Sequence, residues 1–139
     1  MIESFEVYTI YSLSIKKNFT SKHFLPMVEG DENRVHEHDY RLEVMLWGEE
    51  LDEDGFLVDI VELQSLIDSL VKKYEGRILN RMERFEGKNP TLENFCRIFW
   101  DDLKTRMTNK MDNDLGRITS LEIKLWETEE ANASYHEEV

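Results

Sequence analysis

A single cysteine, Cys96, in a chain of 139 residues excludes an internal disulfide and any zinc site built from several thiolates. If a metal binds, histidines and carboxylates must hold it. Basic residues are scarce: 17 Lys and Arg stand against 30 Asp and Glu, for a formal charge of −13. That field repels phosphate backbones and anionic lipid headgroups, so nucleic acid and membrane surfaces are poor partners. No apolar run approaches the roughly 20 residues of a membrane span. Met1 is followed by Glu3 and Glu6, where a secretory signal would carry Lys or Arg. The expectation is a cytoplasmic protein. Internal repeats and low-complexity linkers are also lacking. What is present is the composition of a folded domain, 40% hydrophobic, 11% aromatic and 34% charged, and one domain over residues 1–139 is expected.

Hydrophobic periodicity outlines the elements. Odd positions from Phe5 to Ile15 (Phe5, Val7, Thr9, Tyr11, Leu13, Ile15) form one apolar strand face, and the strand can continue to His23. Pro26 to Arg34 reads as a loop. Alternation resumes with His36, His38, Tyr40, Leu42, Val44 and Leu46 on one face of a second strand. After an acidic turn, Gly48 to Gly55, whose Glu49 to Asp54 read as a solvated hairpin, Asp59 and Glu62 have the spacing of a capping box. The helix that follows carries Leu63, Leu66, Ile67, Leu70, Val71 and Tyr74 as its stripe and closes at Gly76. Pro90 and Thr91 announce a second helix, with Leu92, Phe95, Cys96, Phe99, Leu103 and Met107 at helical spacing. Leu121, Ile123, Leu125 and Glu127 share a third strand face, and a short fourth strand runs near Ala133 to His136. This order predicts an α+β layer: a four-stranded antiparallel sheet with two helices between strands 2 and 3, packed on one side. Two open sheet edges make a homo-oligomer that closes a larger barrel plausible.

Two features carry chemistry. Three of the four histidines, His23, His36 and His38, fall at the end of one strand and the start of the next. A His-x-His pair on a strand points both rings to one side, about 7 Å apart at the Cα atoms. With His23 as third ligand and an open fourth position, the set describes a catalytic zinc site. The same spacing also suits ordinary half-buried histidines. Glu127 is the second feature, because an inward face of leucine and isoleucine ought not to end in a carboxylate without a donor partner. Two cis donors of a pterin or guanine ring would match it bidentately; a solvated strand end is the alternative. Cys96, on the second helix's apolar stripe, reads as a buried thiol and not as a nucleophile.

Six ordered segments join into a pattern: FTSKHFL (Phe19 to Leu25), VHEHDY (Val35 to Tyr40), GFLVDIVELQ (Gly55 to Gln64), ILN (Ile78 to Asn80), NPTLEN (Asn89 to Asn94) and IKLWET (Ile123 to Thr128). Together they resemble the family of 6-pyruvoyl-tetrahydropterin synthase and 6-carboxytetrahydropterin synthase. The resemblance implies the tunnelling fold, whose subunits, as a hexamer or tetramer, close a barrel with active sites between them. It implies zinc held by His23, His36 and His38, a pterin anchored by Glu127, and contact from Thr91 of a neighbouring subunit. The sequence also departs from the family's pattern. Glu32 stands where the catalytic cysteine is expected, and Glu75 and Gly76 align with the proton-relay Asp-His pair. The resemblance and its departures together imply a zinc-dependent pterin-processing lyase, acting on dihydroneopterin triphosphate or a related reduced pterin. Glu32 and Glu75 are its candidate catalytic residues, and side-chain cleavage of the aldolase kind is its expected reaction. A catalytically silent relative that binds pterin or purine is the other reading.

Overall fold

The computed structural model describes residues 10–139, so Phe5, Val7 and Thr9 of the first apolar face lie outside the described residues. Within them the strands β1 (Tyr11–His23), β2 (His36–Gly48), β3 (Ser120–Trp126) and β4 (Asn132–Glu138) form one antiparallel sheet in the order β1-β2-β3-β4. The helices α1 (Ile60–Tyr74) and α2 (Leu92–Lys110) lie between β2 and β3 in the chain, as expected. Short 3-10 turns at Leu79–Arg81 and Glu83–Phe85 link them, and a single helical turn, α3 (Asp112–Leu115), comes after α2.

Both period-of-two patterns are realised. Phe19, Ser21 and His23 of β1 and Tyr40, Leu42, Val44 and Leu46 of β2 are buried or nearly so, while their neighbours face outward. Leu121, Ile123 and Leu125 of β3 complete the sheet's share of the core. Against it pack Leu63, Ile67, Leu70 and Tyr74 of α1 and Phe95, Cys96, Phe99 and Leu103 of α2. The stripes read from helical spacing are thus the buried ones. Each such side chain removed from water contributes about 1.5–3 kcal/mol. The core is therefore strong enough to hold a polar cluster at its end.

Three details differ from the expectation. The capping box at Asp59 is half formed: its carboxylate accepts from the Glu62 amide (3.2 Å), but its own amide donates to Asp114 (2.9 Å) instead of to Glu62. The acidic segment after Gly48 joins strand to helix and is not a hairpin; Asp52 accepts from the amides of Asp54 and Phe56, both at 2.9 Å. Finally, β3 stops at Trp126, one residue before Glu127.

The link after α1 matters for the site. Gly76, at a φ of 70° that favours glycine, donates to the carbonyl of Thr20 (2.8 Å), and Lys22 donates to Arg77 (2.8 Å). The chain from 76 to 78 therefore runs along the β1 edge next to His23. Asn80 then clasps Phe24: its carbonyl accepts the Phe24 amide (2.9 Å) and its amide donates to the Phe24 carbonyl (2.7 Å).

Candidate functional site

Strand register brings the histidines together. His23 and His36 are direct cross-strand partners at the end of the β1–β2 ladder, and His38 lies two residues further along β2 on the same face. Their ring centroids form a near-equilateral triangle with sides of 4.6, 4.9 and 4.7 Å. Glu127 leaves the end of β3, where its amide donates to Ala131 (3.0 Å), and its carboxylate turns inward. Glu127 Oε1 is 2.8 Å from His38 Nε2 and 3.2 Å from His23 Nε2. Glu32, in the 3-10 turn Asp31–Asn33, places Oε2 3.3 Å from His36 Nε2.

The hydrogen bonds show which nitrogen each ring offers. His23 Nδ1 lies 2.9 Å from the Pro90 carbonyl and His36 Nδ1 lies 2.7 Å from the Arg34 carbonyl. A carbonyl only accepts, so in the neutral ring Nδ1 carries the hydrogen and Nε2 keeps a lone pair. Yet the Nε2 atoms of His23 and His36 face each other at 2.9 Å. Two lone pairs at that distance repel unless a proton or a cation stands between them. His38 Nε2 is buried and makes no hydrogen bond of acceptable geometry, despite the nearby carboxylate. Three imidazole nitrogens and one carboxylate oxygen, all within 4.8 Å of one another, fit a metal ion. A tetrahedral zinc with bonds of about 2.0–2.1 Å needs ligand separations of about 3.3 Å. Imidazole-rich sets favour zinc and other transition ions over magnesium or calcium.

The charges are coupled. Burial pulls the pKa of His23 down, but the Glu127 carboxylate and the Pro90 carbonyl outweigh it and hold the value above the ordinary one. His38 is lowered, by burial first and then by the two neighbouring histidines, against the pull of Glu127. Glu127 is held below the usual carboxylate range, by its contact with His23 first and against burial, with the other histidines assisting.

The remaining candidates sit around this cluster or away from it. Glu75, the C-cap of α1, is exposed and borders the same cleft as His38 and Glu127. Thr91 caps α2, accepting from the Asn94 amide (3.2 Å), and immediately follows the Pro90 carbonyl that holds His23. Cys96 is fully buried, its thiol pushed up to about 12 by burial and donating to Ala133 (3.3 Å). His136 stacks on Trp47 on the opposite face of the sheet and belongs to no metal-binding group among the described residues. Glu127, expected to anchor a ring, lies beside the three imidazoles, its carboxylate oxygen within 4.8 Å of their nitrogens. The roles of the Pro90 and Arg34 carbonyls have no sequence signature, because any residue carries a carbonyl. Asn80 had one, a polar residue closing the apolar ILN segment.

A cleft of about 660 Å³ opens beside this cluster, bordered by His38, Tyr40, Arg41, Trp126 and Glu127 among others. The model of the family described as 6-pyruvoyl tetrahydropterin synthase matches residues 12–138, nearly the whole chain. The chain belongs to that family. Among curated relatives, a 6-carboxy-5,6,7,8-tetrahydropterin synthase of Bacillus subtilis is 31% identical over 101 residues, covering 68% of this chain and 67% of the relative. A dihydroneopterin monophosphate aldolase of Pyrococcus furiosus is 30% identical over 115 residues, covering 83% and 88%. The fold matches the Caenorhabditis elegans 6-pyruvoyl tetrahydropterin synthase with a TM-score of 0.77 at 21% identity, covering 92% of this chain and 96% of that one. It matches equally a Plasmodium vivax 6-pyruvoyltetrahydropterin synthase whose catalytic glutamate is replaced by alanine, at 15% identity and TM-score 0.77, covering 94% and 99%. The expected four-stranded tunnelling fold is thereby borne out. No described helix is long and apolar enough to cross a membrane.

Proposed function

We propose that this protein is a zinc-dependent lyase that cleaves the side chain of a reduced pterin in aldolase fashion, as a homo-oligomer. The observation that carries the reading is the Glu32 carboxylate lying 3.3 Å from His36 at the rim of a three-imidazole cluster, in a site without a thiol. The Pyrococcus furiosus relative is named an aldolase of dihydroneopterin monophosphate, and a catalytic residue of the Plasmodium vivax synthase is a glutamate. The first favours the aldolase outcome, and the second a carboxylate in place of a thiolate as the base.

His23, His36 and His38 would hold the zinc, and Glu127 either completes the set or swings out to bind the pterin ring. A bound zinc supplies Lewis-acid polarisation of the side-chain oxygens. Glu32 takes the proton of the 2′-hydroxyl, the C1′–C2′ bond breaks, and its electrons pass to C1′ in conjugation with the ring. Return of the proton to C1′ gives 6-hydroxymethyl-7,8-dihydropterin, and the remaining two carbons leave as an aldehyde. This needs one base. Formation of a 6-pyruvoyl product needs further proton transfers, for which Gly76 offers no group in the relay position.

The test incubates zinc-loaded protein with dihydroneopterin and with its triphosphate and identifies products by mass. The expected product is 6-hydroxymethyl-7,8-dihydropterin, with at least about 100-fold loss in Glu32→Ala. Rapid formation of 6-pyruvoyl-tetrahydropterin would overturn the reading. Tight pterin binding with no turnover would instead establish the silent binding protein.

A further inference from the structure

We propose that Asn80 is a positioning residue of the metal site, which fixes the backbone of the His23 ligand. The inference rests on the zinc reading and adds a group that touches neither metal nor substrate.

The β1–β2 ladder ends at the His23–His36 pair, so Phe24 is the first residue beyond it. Asn80 pairs with Phe24 where the ladder stops. A side-chain amide offers one accepting and one donating edge, as a peptide group does. The Asn80 oxygen accepts from the Phe24 amide (2.9 Å), and its nitrogen donates to the Phe24 carbonyl (2.7 Å). Because the Phe24 amide only donates and its carbonyl only accepts, the pairing has one orientation. Asn80 is itself held firmly. Leu79 beside it is fully buried in the core. Ser21, also fully buried, donates from its hydroxyl to the carbonyls of Tyr74 (2.8 Å) and Arg77 (3.0 Å), where the link after α1 begins.

Phe24 is thus pinned between two parts of the site. His23 precedes it. Leu25 follows, and its amide donates to the Glu32 carbonyl (2.6 Å), closing the loop that joins the ligands His23 and His36. The Pro90 carbonyl orients the His23 ring, whereas Asn80 sets the backbone that carries it. All these contacts lie within one chain and need no neighbouring subunit. Groups that hold a ligand in place commonly account for about 10–100-fold in metal affinity.

Zinc affinity, by competition with a chromophoric chelator, and the visible spectrum of the cobalt-loaded protein test this on the full chain. Asn80→Ala is expected to weaken zinc binding by about tenfold or more and to alter the cobalt absorption. Asn80→Asp keeps the acceptor but sets an oxygen against the Phe24 carbonyl, so it should bind zinc no better, and it decides the matter if the alanine variant does not fold. Gly48→Ala, at the far end of the sheet, separates positioning from general destabilisation. It should lower the unfolding midpoint yet leave zinc affinity and the cobalt spectrum unchanged. Unaltered zinc affinity and cobalt spectrum in either folded Asn80 variant would overturn the inference while leaving the zinc reading intact. An equal loss of affinity in Gly48→Ala would overturn it too, because any loss of stability would then weaken the site. If the unmodified protein bound no zinc, the zinc reading itself would fall.

Discussion

Glu127 is drawn two ways. Its carboxylate touches two imidazoles, yet its place just past the end of β3 also presents it to the cleft in which a ring would lie. Replacement by glutamine keeps the shape and removes the charge, and Glu127→Gln should weaken pterin binding by about 2 kcal/mol in calorimetry. The histidines are the simpler case. His36→Ala and His38→Ala should lose zinc on dialysis against a weak chelator, as read by metal analysis, whereas His136→Ala should keep it. The metal-free protein has a pH signature as well. His23, raised, adds stability fully below an unfolded pKa of about 6.5 and loses it as pH rises through its folded value. Glu127, depressed, adds stability above about 4.3 and loses it as pH falls through its folded value. The two ranges overlap between about pH 4.3 and 6.5. There the Tm of the metal-free wild type should exceed that of metal-free Glu127→Gln by the most, and the difference should shrink on either side.

Among the elements, the strap formed by residues 76–80 does most to place the site. It lies along β1, and its Asn80 grips both backbone groups of the residue after His23. The start of α2 completes the support, since the Pro90 carbonyl one residue before the Thr91 cap orients the His23 ring. At the opposite end of the sheet the close approach of β2 to the loop before β3 requires glycine. A Cβ at Gly48 would fall on the carbonyl oxygen of Arg117 and 2.6 Å from Leu57 Cδ1. Because a backbone carbonyl cannot swing aside, Gly48→Ala should cost about 1–3 kcal/mol in denaturant unfolding, with zinc content per folded chain unchanged.

For the whole molecule, the sheet's edges decide what else can form. β1 and β4 are its outer strands, and the strap covers β1 only near Thr20 to Lys22, leaving the stretch toward Tyr11 without a strand partner on that side among the described residues. Exposed edges of this kind pair with another chain or must be protected. The proposed hexamer or tetramer predicts a mass several times 16.6 kDa by light scattering. Because Thr91 would then reach a neighbour's pterin, dilution to monomer should abolish pterin binding while zinc stays bound. A monomer that binds pterin at full affinity would refute the shared site.

Much of this was legible in the chain itself. Periodicities of two and of 3.6 select faces, so Leu42, Val44 and Leu46, or Leu63, Ile67 and Leu70, had one place to go. The same parity put His36, His38 and Glu127 on inward faces. It could not give distances. That His23 stands directly across from His36 is a matter of strand register, set by pairing along all of β1 and β2. That Glu127 reaches His38, and Glu32 reaches His36, depends on how a turn and a loop fold back over the sheet's end. The carbonyls that orient two of the rings belong to residues whose side chains play no part. The capping box shows the same limit: its local pattern was present, but Asp114, 55 residues away, took the Asp59 amide. Local sequence sets which groups face inward, because side-chain direction follows from backbone geometry alone. Which of those groups meet is decided only when distant segments pack.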